Sequence, residues 1–252
     1  MSALTPAGHK SLLQLIQDAC AEIGIIQPPQ VIGSIDPTVK QLLALANREG
    51  QEMHAIGTSI DGWQMLRREF VWQVVGGQDT YALPADADML IPGTAWDRSM
   101  RWQLLGPATP QEWQVLKSAV VPLGPRRRWR VLAGQFVLFP VPSPTDNNTL
   151  VYEYYSNCWC QSANNVPQPQ FAADTDTYLL DDNVMVLGII WRYRRKKGLE
   201  FSIEYEDWKR ARDRAIASQA GMRDLSLTSG SGLNPFISTA NIPDTGYGNI
   251  GS

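Results

Sequence analysis

The chain has 252 residues, 44% of them hydrophobic and nine of them Trp, enough apolar material for one large or two small cores. Its formal net charge of -3 argues against a surface that binds nucleic acid through overall positive charge, so any DNA contact must be local. No apolar run approaches the ~20 residues of a membrane helix, and Met1 to Lys10 lacks the basic-then-apolar layout of a secretory signal. The expectation is a protein made and used without Sec export and without membrane contact. Cys20, Cys158 and Cys160 form no even disulfide framework, and reduced thiols are expected.

Thr5-Pro6 has the form of an N-cap and a helix-starting proline, with Leu12, Leu15, Ile16, Ala19 and Ile23 on one face before Gly24. Ile25 to Gly33 contains Pro28-Pro29 and reads as an extended connection. Asp36-Pro37 then caps a second helix to about Ile56, with Val39, Leu42, Leu43, Ala46 and Met53 inward and Gly57 as its stop. From Phe70 the period changes to two. Phe70 to Val75, Gly76-Gly77 and Tyr81 to Leu83 predict a hairpin.

Asp86 to Trp96 predicts a turn and a strand, Asp97 to Met100 a polar reversal, and Arg101 to Leu105 a short strand. Thr109-Pro110-Gln111-Glu112 is a capping box that opens a short helix to about Ser118. Arg128 to Leu132 and Gln135 to Phe139 form a hairpin around Ala133-Gly134, Thr149 to Tyr155 adds a strand, and the Pro- and Asn-rich segment Ser162 to Pro169 leads back to helices. Asp181 and Asp182 lead into a helix with Val184, Met185, Leu187, Ile189, Ile190 and Trp191 inward. It ends at Arg194, Arg195, Lys196 and Lys197 with Gly198 as a left-handed cap. Phe201, Tyr205, Trp208, Ala211 and Ala215 stripe the next helix up to Gly221, and so short a link makes the two antiparallel neighbours.

The predicted class is α+β: an antiparallel helix bundle from both ends of the chain, with an inserted small antiparallel β domain. The bounds are 1–66 for the N-terminal helices, 67–173 for the β-rich domain, 174–221 for the helical hairpin and 222–252 for an arm. The arm is rich in Ser, Thr, Gly and Asn, charged only at Arg223, Asp224 and Asp244, and dotted with Leu233, Phe236, Ile237, Ile242, Tyr247 and Ile250. Such a segment does not bury enough apolar surface to fold alone and suits an extended arm that binds a partner.

His9 and His54 stand at no metal-ligand spacing, and Cys158-Trp-Cys160 lacks the second pair of a zinc site. The carboxylates from Asp174 to Asp181 lack the glycine and terminal glutamate of a calcium loop and read as caps. Ser229-Gly-Ser-Gly has no strand-to-helix context for a nucleophile or phosphate loop. No catalytic residue, metal or cofactor is predicted. Two basic groups remain: Arg126, Arg127, Arg128 and Arg130 around Trp129, and Arg192, Arg194, Arg195, Lys196 and Lys197. A solvated face with dipole stabilisation is the plain explanation; contact with DNA phosphates or an acidic protein surface is the sharper one.

The runs Gly33-Ser-Ile-Asp-Pro-Thr-Val-Lys-Gln-Leu-Leu-Ala-Leu-Ala-Asn-Arg-Glu-Gly50 and Leu104-Leu-Gly-Pro-Ala-Thr-Pro-Gln-Glu-Trp113, with Asp174-Thr-Asp-Thr before the Trp191 helix, resemble the head-to-tail adaptor proteins of tailed bacteriophages. These are also called head-tail connectors or upper tail tubular proteins. The resemblance runs from about Leu12 to Gly221. It implies a non-enzymatic ring, usually of twelve copies, in the virion neck, assembled in the host cytoplasm. The ring would dock beneath the portal, carry the next tail or nozzle protein and enclose the passing genomic DNA. A tail-fibre or baseplate linker is the alternative within phage tails. A virion wall hydrolase would need Glu112 or Asp182 as a buried acid in a cleft, whereas both stand where helix caps favour carboxylates.

Overall fold

Ser11 opens the first helix with a capping box: its hydroxyl accepts from the Gln14 amide at 3.3 Å, and the Gln14 side chain accepts from the Ser11 amide at 2.9 Å. Thr5 and Pro6, the predicted start, lie outside the described residues, and His9 and Lys10 are not helical. The structure, a computed structural model, describes residues 9–59, 63–118 and 126–219. Its helices in chain order are α1 (Leu12–Ile23), α2 (Pro37–Ser59), α3 (Pro110–Ser118), α4 (Asp182–Lys197) and α5 (Ser202–Gln219).

Asp36 caps α2 by accepting from the Thr38 amide at 2.7 Å, with Pro37 at the first helical position. This helix does not stop at Gly57. It runs to Ser59, and Gly57 lies against the Trp63 indole, where a Cβ would collide. The missing side chain permits close approach instead of ending the helix. Asp181 caps α4 through the Val184 amide at 3.1 Å, and Gly198 (φ 71) closes it in the left-handed conformation. Four residues, Gly198 included, separate α4 from α5, and the chain reverses there so that Trp191 meets Trp208 and Arg194 meets Glu204. Gly221, the predicted end of α5, lies outside the described residues.

The strands are β1 (Arg67–Gln73), β2 (Thr80–Ala82), β3 (Ala87–Leu90), β4 (Trp96–Asp97), β5 (Trp102–Gln103), β6 (Arg128–Leu132), β7 (Gln135–Phe139), β8 (Thr149–Ser156), β9 (Cys160–Gln161), β10 (Pro167–Gln168) and β11 (Thr177–Tyr178). One antiparallel sheet runs β1-β8-β4-β5 with β3 also on β8; the others are β2-β7-β6 and β10-β9-β11. The β6-β7 hairpin turns at Ala133 (φ 51) and Gly134 (φ 72), as the sequence predicts.

The predicted hairpin of Phe70–Val75 with Tyr81–Leu83 does not form. β1 pairs with β8, from Arg67 against Tyr155 to Gln73 against Thr149, whereas β2 pairs with β7. Gly77 donates to the Pro142 carbonyl at 2.9 Å, and a Cβ on Gly76 would meet the Pro144 backbone at 2.5 Å. The turn therefore docks on the segment before β8 and sends the two strands into different sheets. Alternation identifies a strand and its two faces but not its partner.

Two cores result. Trp129, Phe136 and Tyr152 stack in the β core, with centroids 4.9 and 5.3 Å apart and planes within 13°, and Trp72 meets Phe136 and Tyr152 edge-on. Such pairs add ~0.5–1.5 kcal/mol each beyond area burial. In the helical core α4 packs against α1, α2 and α5. Trp159, Cys160 and Phe171, from the end of the predicted β-rich region, belong to this helical core, as does Tyr178.

Candidate functional site

The carboxylates between Asp174 and Asp182 fasten backbone to backbone. Asp174 accepts from the Val31 amide at 3.1 Å and the Ile32 amide at 2.7 Å, holding the α1-α2 connection. Asp176, fully buried, accepts from Ala172 and Ala173 at 2.7 and 2.8 Å. Asp182 accepts from the Lys10 amide at 2.8 Å and pairs with His9 at 3.2 Å. That contact raises the His9 pKa against the opposing pull of burial. Asp174 and Asp182 thereby hold the segments that lead into α2 and α1, and Asp176 closes its own local turn.

A second cluster lies inside the helical core. Glu49 is 0% exposed on α2, where Leu42, Ala46 and Met53 share its stripe, and it accepts from the Trp208 indole at 2.7 Å and from the Arg192 guanidinium. Arg192, 4% exposed, also donates to Glu52 at 2.8 Å and to the Gly188 carbonyl at 3.0 Å. A Cβ on Gly188 would strike the Glu49 carboxylate. Burial pushes Glu49 up to about 7, while Arg192 and Trp208 pull the other way. Sequence reasoning missed this cluster. Its signal was an acid on an apolar helical stripe together with a single arginine inside the apolar run from Val184 to Tyr193.

The two basic groups are each divided by the fold. Arg192 does not serve as a DNA-facing or interface cation, because its guanidinium is almost fully buried and held by Glu49 and Glu52. Arg194 pairs with Glu204 at 2.9 Å, Arg195 lies 6.0 Å from the Trp191 ring, Lys197 lies 5.2 Å from the Tyr193 ring, and Lys196 is exposed. In the other group Trp129 turns into the β core while Arg128 and Arg130 take the opposite face of β6, with Arg130 5.3 Å from the Trp113 ring. Arg127 is largely buried, bonds Asp146 and lies 3.8 Å from Asp97, while Arg126 is exposed. Alternation along the strand and the helical period, not the run of letters, decide which cations meet solvent.

Glu112 is exposed and completes the α3 capping box, accepting from the Thr109 amide at 2.8 Å, a bond that lowers its pKa. Asp182 lines a cleft beside His9 and Ala215 but is only partly buried and spends one oxygen on His9 and the other on the Lys10 amide. His54 lies 3.7 Å from Asp88, the three cysteines are free and buried, and no cluster of three or more potential metal ligands occurs among the described residues. No helix among them is long and apolar enough to cross a membrane. The predicted arm residues Leu233, Phe236, Ile237, Ile242, Tyr247 and Ile250 lie outside the described residues.

No curated protein matches the chain. The family model described as SU10 adaptor protein matches residues 10–234, which takes in both cores and reaches past α5 as far as Leu233 and Asn234. The chain belongs to the SU10 adaptor protein family and is a phage head-to-tail adaptor.

Proposed function

We propose that this structural protein forms a dodecameric ring in the virion neck that docks beneath the portal ring, extends the DNA channel and carries the next tail or nozzle protein. The family match across residues 10–234 is the observation that carries this reading. The fold supports it physically: four helices and an aromatic β core, each with its own apolar interior, give one subunit two stiff faces for two different partners. The helical faces form the bundle and the β-rich part is directed to the tail. Residues 222–252 reach onto the portal through Leu233, Phe236, Ile237, Ile242, Tyr247 and Ile250. Several apolar side chains at ~1.5–3 kcal/mol each make one such contact modest, and linked copies in a ring make it lasting. Genomic DNA passes without sequence readout, and an exposed basic group, with Arg126 the most accessible of its set, lines the lumen. Assembly takes place in the host cytoplasm.

Deletion of Gly232 to Ser252 tests the arm. Both cores consist of residues upstream of the cut, so the truncated protein is expected to keep its fold by circular dichroism and to lose portal docking. Normal docking by a folded truncation would reject the arm assignment.

A further inference from the structure

Leu45, Arg48 and Glu52 on α2 face Trp191, Arg192, Arg195 and Lys196 on α4 across a cleft of about 460 Å³. The charges in it do not balance. Glu52, the one acid among the described residues that line it, stands one helical turn from Arg48 and would ordinarily be its partner, yet it is taken by Arg192 at 2.8 Å, and buried Glu49 is taken by the same guanidinium. Arg48, Arg195 and Lys196 are therefore exposed without a carboxylate partner among the described residues. The pocket beside Arg126 and Arg127 differs in this respect, because Asp97 and Asp146 share its lining. Helix-dipole stabilisation accounts for cations at the end of α4 but not for Arg48, in the middle of α2 and pointing into the same space.

We infer that this cleft docks an acidic segment of a partner protein, which brings carboxylates to Arg48, Arg195 and Lys196 and an apolar side chain to the floor formed by Leu45 and Trp191. Arginine presents a planar donor fork that matches a carboxylate with two parallel bonds. The size of the cleft is that of a site for a few side chains, not for a length of duplex backbone. With Glu52 held by Arg192, the free cations stand apart around the apolar Leu45 and Trp191, a spacing that suits a segment whose acids are separated by apolar residues. The adaptor reading enters only in taking the occupant to be protein.

The test is fluorescence anisotropy on the full chain with a labelled peptide rich in Asp and Glu and carrying one Phe, its Asn/Gln isostere, and a labelled random duplex DNA. Wild type is expected to bind the acidic peptide and not the isostere. The exposed-site variant Arg48→Glu/Arg195→Glu/Lys196→Glu should weaken that binding by roughly tenfold or more, and the charge-neutral Arg48→Gln/Arg195→Gln/Lys196→Gln by less. Circular dichroism checks that both variants fold. Absence of peptide binding, equal binding of the isostere, or duplex DNA that displaces the peptide from the same residues would overturn the assignment. Portal docking by the intact ring is read separately, so either idea can fail alone.

Discussion

The helical and β cores bury comparable aromatic material by different means. In the β core, Trp129, Phe136 and Tyr152 stack face to face, and the backbone polar groups of the paired strands are spent on ladder bonds. The helical core instead encloses a charged pair, Glu49 with Arg192, tied to Trp208 and flanked by a glycine that leaves room for it. A buried pair of this kind gives little net stability over an apolar replacement, but removal of one member leaves the other uncompensated. The β core should thus respond to volume, and the helical core to charge.

The largest expected effect is at Arg192. Arg192→Met strands Glu49 in the core and should cost about 3–5 kcal/mol in urea unfolding, while the double variant Arg192→Met/Glu49→Met should recover most of it. A loss below ~1 kcal/mol in the single variant would show that the pair does not govern this core.

The pH response sharpens the same contrast. Burial raises the Glu49 pKa from 4.5 to about 7 in the folded protein, so the folded state binds the proton more tightly than the unfolded chain. This contribution to stability is fully present below pH 4.5 and is lost as the pH rises through about 7. Glu49→Gln should remove a slope of at most ~1.4 kcal/mol per pH unit in that window, visible in urea midpoints across a pH series. An unchanged slope would contradict the burial argument.

In the β core the volume-conserving Leu138→Met, at a fully buried position, should cost less than about 1.5 kcal/mol and leave the pH profile untouched. A larger loss would mean that this core is as exacting as its neighbour. The smallest effect is expected at the exposed cap of α3, where Thr109→Ala removes the acceptor for the Glu112 amide and should cost ~1 kcal/mol.

What the sequence made legible follows the range of the forces involved. Caps and local turns were readable because their partners lie two or three residues away: Asp181 to Val184, Thr109 to Glu112, Asp36 to Thr38 and the Ala133-Gly134 turn. Strand pairing was not, as β1 shows by passing over β2 for β8, far along the chain. Gly57 reads as a helix stop in the sequence, because the Trp63 indole that packs against it comes into view only with the fold. The basic run at the end of α4 was visible as letters, yet the removal of Arg192 into the core depends on Glu49 and Glu52, more than a hundred residues earlier. The family resemblance was legible in the capped helices, and the match over residues 10–234 bears it out.

The proposed function has this adaptor stacked as a ring on the portal. Mass determination in solution with and without purified portal ring, followed by two-dimensional electron microscopy class averages, tests it most directly. A complex in which a second ring is stacked on the portal is expected, whereas a stable trimer or hexamer indifferent to portal would rule the proposal out.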